Sequence, residues 1–162
     1  MSRSEESLKL ATELWRQAYE YQMNGDLEEA VRLYEESIAV FPTAEAHTFL
    51  GWTYSFQGKL EQAIEECRKA IQVDPDFGNP YNDIGAYLIQ LGKPIEAIPW
   101  LEQATQARRY ESYCFPHMNL GRVFQMTGQY AKAMAEYQKA LQCQPSYEEA
   151  LHAIRRLHAM MN

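Results

Sequence analysis

Apolar residues recur along this chain at three- and four-residue spacing, in short blocks parted by polar breaks. Between residues 60 and 73 the apolar positions are Leu60, Ala63, Ile64, Cys67, Ala70 and Ile71. That stripe predicts one buried face of a helix. Ala46, Leu50, Tyr54 and Phe56 give the same signal over 44–57. Gly58 stops that helix, because glycine adopts the left-handed conformation that ends helices. Asp74-Pro75 stops the other, because the residue before a proline is pushed out of helical geometry. The pattern predicts helix pairs over 5–24 and 27–40, 44–57 and 60–73, 78–91 and 94–107, and 114–127 and 130–143. Asp26 to Glu29 forms a capping-box variant ahead of the second helix. Pro94 suits the first turn of the sixth. Pro99, deeper in that helix, removes one backbone hydrogen bond and should bend it.

The blocks are in register. Gly51, Gly85 and Gly121 form one column, with Ala18 at its front. Further columns are Gly25, Gly58, Gly92 and Gly128, and Ala30, Ala63, Ala97 and Ala133. Pro42, Pro75 and Pro145 make a fourth, with Arg109 filling the gap. The second glycine column steps by 33, 34 and 36 residues, a fixed period in the range of repeat architectures. No single pair of helices buries both of its apolar faces, so the pairs must stack. Two extra residues fall between the third and fourth units, within Arg108 to Tyr113.

The letters in these columns resemble the tetratricopeptide repeat. Leu50, Gly51, Tyr54, Ala63, Ala70 and Pro75 match in the second unit, with His47 and Cys67 where aromatics are usual. Tyr81, Gly85, Ala97, Leu101 and Ala104 match in the third, and Leu120, Gly121, Phe124, Ala133, Tyr137, Ala140 and Pro145 in the fourth. The first unit keeps Tyr21, Ala30, Tyr34 and Pro42. The resemblance implies an all-α fold: a right-handed α-solenoid of four helix-turn-helix repeats with a terminal capping helix. It forms a single domain over 1–162, with repeats at about 11–43, 44–77, 78–113 and 114–147 and the cap at about 147–160. Ser146 to Glu149 reads as a capping box for that last helix. Arg155 stands in its glycine column, where a long charged side chain leaves no room for a following helix.

Composition narrows the function. Hydrophobic residues make up 46% and charged residues 23%, the balance of a globular chain. A formal charge of −7 argues against general nucleic-acid binding, which rests on lysine and arginine neutralising phosphates. Arg108-Arg109 and Arg155-Arg156 are expected to be solvated surface. No apolar run is long enough for a membrane span. The N-terminal residues lack the apolar core of a secretory signal and a lipid-attachment cysteine. Three cysteines without C-x-x-C spacing fit free thiols, so a cytoplasmic location is expected. There is no P-loop and no His-Glu-x-x-His. His47 and His117 share a column and are expected to be packing residues. Glu28-Glu29, Glu35-Glu36 and Glu65-Glu66 are expected on solvated faces. The chain is expected not to be an enzyme, with no catalytic residues, no metal and no cofactor.

The resemblance further implies that the first helix of each unit lines a concave groove. Its side chains there would be Trp15, Arg16 and Tyr19, then Phe49, Trp52 and Phe56, then Asn82 and Asp83, then Met118, Asn119, Arg122 and Met126. Aromatic and methionine residues dominate three of the four sets, and such strips mark interaction sites. The expected function is an adaptor that binds a peptide or helix of a protein partner in this groove. The alternatives are a self-assembling scaffold, with homo-oligomers, and a chaperone or assembly factor for a secretion or pilus system. Pilus pilotins carry a lipoprotein signal, which weighs against the last. Heat-shock co-chaperones in this family grip a terminal carboxylate with lysine, arginine and asparagine. The matching columns here hold Trp15, Tyr19, Phe49, Asn79 and Asp83, so no such peptide is expected to bind.

Overall fold

A computed structural model describes all of residues 1–162. It contains nine helices: α1 (Arg3–Met23), α2 (Leu27–Val40), α3 (Ala44–Phe56), α4 (Leu60–Val73), α5 (Asn79–Gln90), α6 (Pro94–Gln106), α7 (Cys114–Met126), α8 (Tyr130–Cys143) and α9 (Glu148–Met161). Every predicted helix is present, and its ends fall within two residues of the expected ones. The helix starts differ in how they are capped. Ser2 forms a full capping box with Glu5 and starts α1 early. Asp26 accepts a hydrogen bond from the Glu29 N–H, at 3.3 Å, without the reciprocal bond of a capping box. The expected capping box at Ser146 does not form. Tyr147 takes the N-cap position, with its ring against Phe115 at 6.0 Å, and α9 begins one residue later. Pro94 sits in the first turn of α6, and the helix runs on through Pro99.

Each odd helix packs antiparallel-fashion on the even helix that follows, and each pair stacks on the next. The reason lies in the columns. A Cβ added at Gly121 would collide with the ring of Tyr137, and one at Gly85 with Leu101. Small residues there let a large side chain of the second helix lie on the backbone of the first. At Gly51 the partner is smaller, Cys67, and the Ala63 carbonyl comes within 2.9 Å of where a Cβ would be. Gly58 has φ +76, as the other three glycines of its column have within a few degrees, and these end the odd helices. Apolar clusters centred on Tyr34, Ile84 and Leu101, and Tyr137 follow one another along the stack. The result is an all-α solenoid of helix-turn-helix repeats.

The odd helices also touch one another in order, α1 on α3, α3 on α5 and α5 on α7. Their row is therefore the inner, more closely spaced face of the stack. The inserted segment after α6 folds onto this face. Its backbone runs beside the α4–α5 turn: Gly78 N–H donates to the Arg109 carbonyl at 3.0 Å, and Arg109 N–H to the Asp76 carbonyl at 2.9 Å. The Tyr110 ring lies where a Gly78 side chain would be. Arg109 holds Glu45 at 2.7 Å and Asp74 at 2.8 Å, and its guanidinium covers the Phe77 ring at 4.2 Å. This corrects the expectation of a merely solvated arginine. Having lost the proline of its column, the junction is fixed by an arginine that ties the third repeat to both ends of the second.

Candidate functional site

Helix periodicity brings the fourth-residue positions of α1 and α3 onto one side, and there the rings meet. Trp15 stacks on Tyr19 with centroids 5.9 Å apart. Phe49 lies edge-on to Trp15 at 5.1 Å, to Tyr19 at 5.7 Å and to Trp52 at 5.7 Å. Trp52 continues to Phe56 at 5.1 Å. Edge-to-face pairs of this kind add to the gain from area burial alone. Phe49 also reaches Tyr34 in the core at 6.3 Å, so the mesh is rooted below and accessible above. Trp15 and Phe49 are half-buried and pack against the first core cluster. Tyr19 lies open, and Phe56 is 57% exposed. Arg16, also exposed, is held by Glu13 at 2.7 Å within its own helix.

The C-terminal part of the inner face is different. Asn119 Nδ2 donates to Asn82 Oδ1 at 3.0 Å, and both residues are buried. Arg122 donates to Asn119 Oδ1 at 2.9 Å and reaches Glu149 of α9 at 2.8 Å. The expectation that Asn82 and Asn119 are free to orient a partner is therefore corrected: one hydrogen bond joins the two amides across α5 and α7, and Arg122 occupies the Asn119 oxygen. Met118 is corrected as well. At 3% exposure it belongs to the core between α7, α8 and α9, because α9 closes over it. Met126 keeps its place at the surface, 58% exposed. Beside it, a depression of 1020 Å³ opens between α7 and α9, with Arg122, Met126, Arg156 and Met160 around it.

Between these two parts lies a smaller cavity of 280 Å³. Phe49 and Trp52 of α3, Phe115 of α7 and Tyr110 of the inserted loop give it aromatic walls. Asn82 and Asp83 of α5 supply polar groups. Burial, opposed by a hydrogen bond from Asn82, pushes the Asp83 carboxyl up to about 7. The Tyr110 phenol is also pushed well up by burial.

Sequence reasoning missed a paired polar device behind the groove. His47 Nδ1 lies 2.8 Å from Glu66, and Lys69 holds the other oxygen at 2.8 Å. Seventy positions on, His117 lies 2.7 Å from Glu136, and Lys139 reaches it at 3.0 Å. Glu66 is thus buried, contrary to the solvated face expected for Glu65-Glu66. Burial pushes both carboxyls up, but the histidine and lysine hydrogen bonds outweigh it and hold them below the usual range. The first unit has Leu14 and Leu33 in the same two columns, and the third has Tyr81 and Trp100. The signal was the equal spacing of His, Glu and Lys in the second and fourth units. No group of three metal-ligating side chains comes together, and no helix is long and apolar enough to cross a membrane.

Comparison with known proteins agrees with the columns. Two family profiles described as tetratricopeptide repeat match residues 44–77 and 76–146, together more than half of the chain. The mitochondrial import receptor subunit TOM70 of Rattus norvegicus is 28% identical over 141 residues, 86% of this chain and 23% of that protein. The small glutamine-rich tetratricopeptide repeat-containing protein 2 of Saccharomyces cerevisiae is 32% identical over 89 residues, 54% of this chain and 26% of that protein. The chain therefore spans only a minor part of the length of these relatives. Among solved structures, Pseudomonas aeruginosa pilF superposes with a TM-score of 0.89 at 22% identity, covering 99% of this chain and 71% of that one. PilW, described as a widely conserved type IV pilus biogenesis factor, superposes with a TM-score of 0.85 at 22% identity, covering 93% and 69%. These likenesses show a shared fold. With its in-register columns, its stacked helix pairs and both profile matches, the chain belongs to the tetratricopeptide repeat family.

Proposed function

We propose that this protein is a non-enzymatic adaptor that holds a segment of a partner protein against its inner face. The observation that carries this reading is the ring mesh of Trp15, Tyr19, Phe49, Trp52 and Phe56, half-buried at its base and open at its surface. Tryptophan and tyrosine are frequent interface anchors, since they bring large area at small entropy cost. Met126 and Arg122 extend the surface toward α9, with Arg122 able to exchange exposed Glu149 for a partner carboxylate. A cytoplasmic location belongs to this proposal and is checked by fractionation. Affinity capture from the source cell tests the groove, with wild type beside the Trp52→Ala/Arg122→Ala double variant. Partner recovery should fall sharply in the variant while its far-UV helical signal persists. Equal recovery would sink the assignment.

A second reading is an assembly factor for a secretion or pilus system. Its support is the match in shape to pilF over 99% of the chain. Capture of pilus or secretion components, lost in the same double variant, would select it. Self-assembly through the groove is separated from both by sedimentation over a range of concentrations.

A further inference from the structure

The cavity between the two parts of the inner face has an unusual charge balance. No lysine, arginine or histidine lines it, and Asp83 takes part in none of the chain's ion pairs. Arg109, in the adjoining pocket, is already held by Glu45 and Asp74. The titratable groups that feel Asp83, namely Cys67, Tyr87 and Tyr110, are all acids that burial keeps neutral. Asp83 is half-buried, and a carboxylate partly withdrawn from water without a counter-charge is costly. The fold does not require one here, since Arg16, Phe49 and Asn119 occupy the same column in the other units.

The surroundings describe what the missing counter-charge looks like. Aromatic faces attract cations through their negative quadrupole, and Phe49, Trp52, Tyr110 and Phe115 all reach the cavity. An ammonium has three donors and no acceptor, so it needs oxygens around it. Asp83 offers its carboxylate, and Thr48 a hydroxyl whose own hydrogen is already given to the Ala44 carbonyl at 2.7 Å. At 280 Å³ the cavity falls just below the range of about 300–1,000 Å³ usual for small-molecule sites, and suits a single long side chain. The net charge of −7 favours approach of a positively charged segment.

We propose that this cavity receives a lysine side chain from an extended segment of a protein partner, its ammonium set on Asp83 between the rings of Trp52 and its aromatic neighbours. The inference rests on the reading of the inner face as a partner groove. Arrival of the ammonium restores the ionised carboxylate, so binding releases a proton near neutral pH, where burial had held part of Asp83 protonated.

The test is selection of a random peptide display library on wild type, Asp83→Asn and Trp52→Leu, followed by titration of the selected peptides and their lysine-to-norleucine counterparts. Asp83→Asn keeps the shape and removes the charge; Trp52→Leu keeps the charge and removes a wall. Circular dichroism confirms that each variant is folded. Wild type should enrich peptides with one invariant lysine, and both Asp83→Asn and the norleucine exchange should weaken binding roughly tenfold or more. Peptides that need Trp52 but show no lysine, that carry arginine alone, or that bind Asp83→Asn equally well would overturn this inference and leave the groove reading standing. Failure to select any peptide would overturn both.

Discussion

From α1 to α3 the inner face is a mesh of rings, whereas from α5 to α9 it is a relay of amides and ions running from Asn82 through Asn119 and Arg122 to Glu149. Both are built on the same columns: Tyr19, Trp52, Ala86 and Arg122 occupy equivalent places in their helices. The repeat fixes where a Cβ points, and the side chain decides what surface results. Rings gain from burial that has little directionality, so in the proposed groove the first half would accommodate partners of differing shape. Hydrogen bonds are directional and costly to leave unmade, so the second half is held in one geometry. Under the proposed function, the aromatic half would supply affinity and the polar half register.

Breaking the aromatic half should have the largest effect. Phe49→Ala removes the ring that touches Trp15, Tyr19, Tyr34 and Trp52, and should cost about 3 kcal/mol in urea unfolding. A loss under about 1 kcal/mol would mean that the remaining rings hold each other without it. In the polar half, Asn82→Ala or Asn119→Ala should each cost about 1–3 kcal/mol, because the buried partner amide is left unpaired. The pair removed together should cost less than the sum of the singles, and strict additivity in that cycle would disprove the coupling.

Acid titration sharpens the comparison, since one half rests on Glu66 and the other on Glu136. Both folded-state pKa values lie below the unfolded one, so the stabilisation is fully present above the unfolded value of about 4.3 and is lost as pH falls through it toward the folded value. Glu66→Gln and Glu136→Gln should each flatten the acid limb of the stability curve, by on the order of 1 kcal/mol. Each variant should do so chiefly through amides of its own half, as hydrogen exchange would resolve. Acid limbs identical to wild type would remove the histidine-glutamate pairs from the account. The smallest effect should come from Arg122→Ala, whose ion pair with Glu149 is exposed on both sides: less than about 1 kcal/mol. A larger loss would show that Arg122 supports the Asn82–Asn119 pair from outside.

The helices, their stacking and the repeat were legible in the sequence, because they follow from spacing. Gly51, Gly85 and Gly121 announce close helix approach by their size alone, and the turn glycines mark the ends of the odd helices. The candidate site was legible in part. Trp15, Tyr19, Phe49, Trp52 and Phe56 could be placed on one face, since a helix repeats that face every three or four residues. That Phe49 is the hub of those rings could not be read, because ring-to-ring angles depend on how α1 and α3 cross.

Periodicity is local, so the chain alone determined its fold class and its repeat register. The remaining assignments depended on which groups lie opposite one another. Only the tertiary structure paired Asn82 with Asn119, sank Met118 beneath α9, buried Glu66 on His47 and brought Arg109 back to Glu45 and Asp74. It also left Asp83 facing aromatic walls with no cation of its own. These contacts join residues from different helices and loops, and a hydrogen bond or an ion pair is decided by distance in space, which spacing along the chain does not specify.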